Sequence, residues 1–232
     1  MKKILFVNDV KKLSSIVSGY RHIYLGNEFC PRLFFDFNDI KKIKKFSSDN
    51  KIKISFVTSY SEHKSIIKIK KIFNSLDKLD LLAEVIVNDL GVLNLLNKYF
   101  HRTDIVIGRA LSRYIYLDKN NYYYNMGIRR IEYDHICKVP GAKKEIKYSL
   151  YYPYSVVSAT RYCPVIGLEE NSNFNHGILN CIKDCQKYKP FKITNKLTIG
   201  DLYLLGNCIL YRNKINIIKG KNIDRFIYCP YI

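Results

Sequence analysis

The sequence predicts an α/β protein, a TIM-barrel-like (β/α) barrel, closed or incomplete, with a long cysteine-bearing region towards its C-terminal end. Three observations carry that prediction. Short β-branched and aromatic runs alternate with longer amphipathic stretches, an order that forces parallel strands joined by helical crossovers. The strand count approaches eight and no Gly-rich nucleotide turn follows the first strand, which favours a barrel over an open sheet. The length, 232 residues of which 47% are hydrophobic, suits one domain over 1–232 and excludes a disordered chain.

The elements follow in order. Lys3 to Val7 reads as a strand, and Asp9 to Val17 as a short helix. His22 to Leu25 is a second strand ending at Gly26, and Phe37 to Phe46 carries helical spacing. Ile52 to Val57 is a third strand, after which Ser61 can cap a helix bearing Ile66, Ile69, Phe73, Leu76 and Leu79. Glu84 to Val87 is a fourth strand, and Asp89 caps a helix with Leu93, Leu96 and Tyr99 on one face. Asp104 to Ile107 is a fifth, closed by Gly108, and Arg129 to Tyr133 a sixth. Lys147 to Ser158 reads as one longer seventh strand. Beyond it the alternation fails. Residues at about 160–200 combine Pro164, Gly167, several asparagines and three cysteines, a loop length that calls for something to organise it. Leu202 to Leu210 reads as one more strand, with Ile215 to Ile218 pairing to it around Asn213.

The formal net charge of +19 has two readings. A polyanionic partner such as RNA would be attracted by it. Equally, the abundance of Ile, Lys, Asn and Tyr with no Trp is the usage of an AT-rich genome, which spreads lysine over solvated faces. Lys41, Lys42, Lys44 and Lys45, and again Lys64, Lys68, Lys70 and Lys71, fall on the outer faces of predicted helices, as the second reading expects. The opening Met-Lys-Lys precedes only four apolar residues, and no run of roughly 20 occurs, so neither a signal peptide nor a membrane span is expected. Seven cysteines without such a signal point to a reducing, cytoplasmic compartment.

Cys181 and Cys185 form a close pair whose sulfurs can face one centre from a turn. Cys163 lies in the loop that needs an organiser, and Cys30 follows the second predicted strand. Loops after strands converge on the C-terminal face of a barrel, so all four can share a site. Four thiolates suit a tetrahedral zinc or an iron–sulfur cluster. Cys208 and Cys137 read as small buried apolar residues, and Cys229 has no assignment.

The stretch His22-Ile23-Tyr24-Leu25-Gly26-Asn27-Glu28-Phe29-Cys30 resembles the first cysteine motif of the collagenase-like peptidase family, U-thirty-two, nearest to its UbiV-type branch. Glu84 to Gly91, with its Asn-Asp-Leu-Gly end, resembles a strand of that family. Arg161-Tyr162-Cys163-Pro164 and Cys181-x-x-x-Cys185 resemble its later cysteines, in order. The resemblance runs from roughly residue 20 to 190. It implies a TIM-barrel-like fold and a 4Fe-4S cluster held by Cys30, Cys163, Cys181 and Cys185. It also implies a role in oxygen-independent hydroxylation of an RNA base or a quinone precursor, with prephenate as the suggested oxygen donor and a related family subunit as a hetero-oligomeric partner. A peptidase is the alternative in the same family, and a non-catalytic RNA-binding or partner protein the third reading.

Asn88 and Asp89 end a predicted barrel strand, where catalytic groups occur in this architecture, although Asp89 equally suits a helix cap. Arg109 and Arg113 follow the fifth strand and could clamp a small anionic substrate bidentately, or be solvated charge. Arg161 and Tyr162 flank Cys163 as hydrogen-bond donors to its ligand. Glu132 and Asp134 alternate on one strand and so share a face. The five histidines form no zinc-protease motif, and neither a Gly-x-Ser-x-Gly elbow nor a phosphate-binding loop occurs.

Overall fold

The short apolar runs carry large side chains at successive positions, the pattern of strands buried on both faces. The computed structural model describes residues 2–16, 19–115, 122–134, 145–160, 163–164, 181, 183–194, 200–213 and 223–230. In chain order the strands are β1 (Lys2–Val7), β2 (His22–Gly26), β3 (Lys53–Val57), β4 (Glu84–Val87), β5 (Asp104–Ile107), β6 (Arg130–Tyr133) and β7 (Lys147–Tyr152). Four more then form an antiparallel sheet of their own, β8 (Tyr154–Ala159), β9 (Phe191–Ile193), β10 (Leu202–Leu205) and β11 (Cys208–Arg212), ordered β8-β11-β10-β9. Finally β12 (Ile223–Tyr228) inserts between β7 and β1 and closes an eight-stranded parallel barrel, with Ile227 opposite both Tyr151 and Ile4. The expected (β/α) barrel is therefore present and complete.

Helices α1 (Ile40–Asn50), α2 (His63–Asp77), α3 (Leu90–Tyr99), α4 (Arg109–Ile115) and α5 (Tyr122–Asn125) connect the strands. The first three turn apolar stripes inward: Ile40 and Ile43 from α1, Ile69, Ile72, Phe73 and Leu76 from α2, Val92 and Leu96 from α3. These meet the outward-facing Ile23, Leu25, Ile54, Phe56, Val85 and Val87 of the barrel in one core. Lys41, Lys42, Lys44, Lys45, Lys64, Lys68 and Lys71 remain exposed on the other helix faces. Among the described residues no helix is long and apolar enough to cross a membrane.

Inside the ring an apolar cluster including Ile4, Phe6, Val57, Ile86, Val106 and Ile227 fills the middle. Polar groups sit above and below it. Towards the N-terminal ends of the strands Arg225 forks Glu84, with Nη1 and Nη2 each 2.9 Å from a carboxylate oxygen. Ser55 Oγ donates to Glu84 at 2.6 Å and lies 2.7 Å from His22 Nε2. Burial lowers the His22 imidazole to about 4, so it is neutral at pH 7.

Several expectations meet a different local structure. The long strand from Lys147 to Ser158 divides at Pro153, which has no N–H to continue a ladder, into β7 of the barrel and β8 of the second sheet. Leu202 to Leu210 is a hairpin, because Gly206 adopts φ +58° and turns the chain between Leu205 and Cys208. The helix expected from Asp9 is a 3₁₀ helix, Val10–Ser15, with Asp9 accepting from Lys11 N at 2.9 Å. Ser61 does not cap α2; Glu62 holds that position, and the Ser61 hydroxyl donates to Ser59 O. The pairing of Ile215 to Ile218 lies outside the described residues.

Candidate functional site

Gly26 ends β2 with φ +142°, and a Cβ there would stand 2.1 Å from Val57 O, so only glycine lets the chain leave the barrel this close to β3. The next residue organises the turn: Asn27 Oδ1 accepts from Phe29 N at 3.0 Å and from Cys30 N at 2.7 Å. Cys30 thereby precedes the 3₁₀ turn Pro31–Leu33, whose Arg32 and Leu33 amides donate towards its sulfur. Burial pushes the Cys30 thiol up, and those two amides oppose the rise.

Cys163 follows β8, Cys181 lies before the 3₁₀ turn Asp184–Gln186, and Cys185 is inside that turn. All four cysteines line one cavity of about 140 Å³ at the C-terminal face of the barrel. The Cys185 thiol is pushed up to about 11, first by burial and then by Cys163, Cys30 and Cys181. Among the described residues, no group of three or more His, Cys, Asp or Glu side chains is disposed to hold a metal ion. Cys208 also touches this cavity but is buried beside Phe29, Ala110, Tyr154 and Leu210, with its thiol pushed up to about 12 by burial. Cys229 is buried in the barrel interior, and Cys137 lies outside the described residues.

One side chain joins the segments that carry these cysteines. Asn207, at the β10–β11 turn, donates from Nδ2 to Phe29 O at 2.8 Å and to Thr160 O at 2.6 Å. Thr160 N returns a bond to Asn207 O at 2.9 Å. The loop before Cys30 and the end of β8 before Cys163 are thus fixed to the same turn. Cys185 closes the group, its Sγ 3.6 Å from where a Cβ on Gly206 would stand. The Gly-Asn dipeptide signals a turn in the sequence, but its bonds to residues 29 and 160 have no local signature.

Beneath this cavity the barrel mouth is filled by charge paired with charge. Arg109, 2% exposed, is held by both oxygens of Glu28, with Nε–Oε1 at 2.9 Å. Its Nη1 reaches Tyr154 O at 3.2 Å and Asp134 Oδ2 at 3.5 Å, and its plane lies 3.9 Å over the Tyr151 ring. Asp134 in turn accepts from Val156 N at 2.7 Å. The expected clamp for a small anion is in this structure a fork around an internal carboxylate. Arg113 is exposed and donates to Val156 O. Asn88 is fully buried, donating to Thr58 O at 2.9 Å and accepting from Ala110 N at 2.9 Å, so it ties three strand ends together. Asp89 accepts from Gly91 N at 2.7 Å and Val92 N at 3.2 Å as the cap of α3.

Glu132 and Asp134 do share the inward face, at different depths. Glu132 is fully buried and accepts from Tyr151 OH at 2.8 Å, and among the described residues its Oε1 lies within hydrogen-bonding distance of no donor. Burial, then the charge of Glu28, raises its carboxyl to about 8. Arg161, Tyr162, His135 and His176 lie outside the described residues.

Compared with family models, with curated proteins and with solved structures, the chain matches none.

Proposed function

We propose that the chain is an iron–sulfur protein, with Cys30, Cys163, Cys181 and Cys185 holding a four-iron cluster, and that it serves an oxygen-independent hydroxylation. One observation carries the first half: four cysteines from connections far apart in the chain line a single cavity at the C-terminal face of the barrel. Four thiolates suit a tetrahedral zinc or an iron–sulfur cluster, and the resemblance to the collagenase-like peptidase family favours the cluster. When bound, such a cluster supplies one-electron chemistry. The chain's own part is to hold and shield it. The Arg32 and Leu33 amides favour the Cys30 thiolate, Asn207 keeps the loops in place, and the mouth below is sealed by Arg109, Glu28 and Asp134.

The hydroxylation half rests on the resemblance to the collagenase-like peptidase family, with an RNA base or a quinone precursor as substrate class and a related subunit as partner. The peptidase alternative draws no support from Ser55 and His22. That pair lies at the other end of the barrel, Ser55 is sealed from solvent, and its hydroxyl proton is directed to Glu84.

Protein purified without air is expected to contain about four iron and four acid-labile sulfide per chain. Cys30→Ala, Cys163→Ala, Cys181→Ala and Cys185→Ala each lose most of the iron, whereas Cys208→Ala keeps it. One tightly bound zinc without sulfide would overturn the cluster. For the hydroxylation, cells lacking the chain are compared by mass spectrometry with complemented cells, both grown without oxygen. A one-oxygen product restored by complementation supports that half, and identical RNA and quinone profiles reject it.

A further inference from the structure

The two ends of the barrel differ in access. At the C-terminal end β8 lies across the mouth. At the N-terminal end, by contrast, a cavity of about 510 Å³ reaches inward as far as Val106 of the barrel interior. That size lies within the range of small-molecule sites, about 300–1,000 Å³.

Its lining mixes apolar and charged residues. Leu96, Phe100, Ile105, Val106 and Met126 are its apolar lining. Arg129, Arg130, Lys147 and Arg225 supply four cations, against the carboxylates of Glu84 and Asp104 and of Asp224, which pairs with Arg130, so a formal surplus of one positive charge remains. Arg130 is committed to Asp224, with Nη2–Oδ2 at 2.8 Å. Arg225 spends its two terminal nitrogens on Glu84 and Tyr24, but its Nε is buried with no hydrogen-bond partner among the described residues, in a side chain nine-tenths buried. At the rim, Lys147 is exposed and donates no side-chain hydrogen bond within the described residues. Arg129 is held there with its guanidinium 4.0 Å over the Tyr124 ring and Nη1 on Tyr124 O at 2.8 Å, so only part of its fork is used.

We propose that this N-terminal mouth is a second ligand site, separate from the cysteines, which takes a small organic monocarboxylate with an apolar body. The cationic rim fits the carboxylate, which Arg can meet with a planar fork and Lys with a point charge. The apolar lining fits the rest of the molecule. Asp104 in the same cavity opposes a second negative charge, which selects a monoanion over a dianion such as hydrogen phosphate or a dicarboxylate.

Isothermal titration of the full-length chain tests this with cyclohexanecarboxylate, the neutral cyclohexylmethanol and inorganic phosphate as probes. The carboxylate binds at millimolar concentration or below, and the other two bind at least about tenfold more weakly, the loss expected when one charge-assisted contact is missing. The exposed pair Arg129→Ala/Lys147→Ala weakens the carboxylate by about tenfold or more while its circular dichroism stays unchanged. Replacing Cys30, Cys163, Cys181 and Cys185 together leaves the affinity as it was, so the site stands whether or not a cluster is held. No carboxylate heat at millimolar concentration, equal binding of the alcohol, or an unaffected double variant would each overturn the assignment.

Discussion

Each end of the barrel carries an arginine forked on a buried glutamate, Arg109 on Glu28 above and Arg225 on Glu84 below. The pairs are chemically alike but embedded differently. Arg109 has a second carboxylate, Asp134, and the backbone of β8 over it, so three strand ends and the second sheet depend on one guanidinium. Arg225 borders a cavity and shares its glutamate with Ser55 and, at 3.8 Å, His22. The upper pair is a seal, while the lower pair forms the floor of a site. A fork's worth to the fold follows from what is stranded when it is removed, not from its own geometry.

The largest effect should therefore separate the two arginines. Arg109→Ala leaves Glu28 and Asp134 facing each other in a closed space, and breaking a buried pair of this kind costs about 3–5 kcal/mol. Urea denaturation should show that loss, together with a lower iron content, since Glu28 is two residues from Cys30. Arg225→Ala should lose less. It strands one carboxylate, which keeps Ser55, and it removes a positive charge that helps hold the His22 imidazole neutral. His22 can then take a proton and pair with Glu84, so the deficit of Arg225→Ala should shrink as pH falls through the ordinary imidazole range. Equal losses for the two variants at every pH would remove the distinction between the ends.

Glu132 lies between the two forks and gives the next effect. Its carboxyl faces Tyr151 from β7 and Tyr24 from β2, with Glu28 and Arg109 above and Glu84 and Arg225 below. The folded value is raised from 4.5 to about 8. Within that window the folded state keeps a proton that the unfolded chain gives up, so this group's contribution to stability is full below 4.5 and falls as pH rises to about 8. Glu132→Gln, which mimics the protonated form, should flatten the dependence and gain on the parent at about pH 8 relative to about pH 5, by a few kcal/mol at most. A parallel pair of stability–pH curves would show Glu132 to be ionised in the fold.

These buried charges mark where the sequence stops being readable. The strands β1 to β5 were legible because each carries a short apolar run bounded by a turn signal. β12 escaped because its Asp224 and Arg225 break the apolar pattern; Arg225 points into the barrel, where only a partner from β4, far away in sequence, satisfies it. The Gly206-Asn207 turn was hidden inside a run of β-formers, and with it the bonds that assemble the cysteine loops. The cysteines themselves could be grouped, since loops after parallel strands meet at one face. Arg109 followed the same placement rule, yet Glu28, which takes its fork, carries no signal beyond standing near Cys30.

The smallest effect supplies the control for the comparison of the two forks. Lys68 and Asp36 form an ion pair with side chains 52% and 53% exposed. The hydrogen bond and charge of Lys68 hold the Asp36 carboxyl below its usual range, so the pair is electrostatically real. Water and salt nonetheless screen it, and two mobile side chains must be ordered to form it. Because the folded value of Asp36 is lowered, its contribution is present above the ordinary carboxylate range and is lost as pH falls through that lowered value. Lys68→Ala should then cost under about 1 kcal/mol at neutral pH, and the difference should fade in high salt or in acid. Urea melts of Lys68→Ala and Arg109→Ala at low and high ionic strength check this directly. The exposed pair should respond to salt and the buried fork should not, because no counterion reaches a guanidinium that is 2% exposed. A salt-sensitive Arg109→Ala deficit would mean that solvent enters the upper mouth, and the seal would have to be abandoned as the account of that end of the barrel.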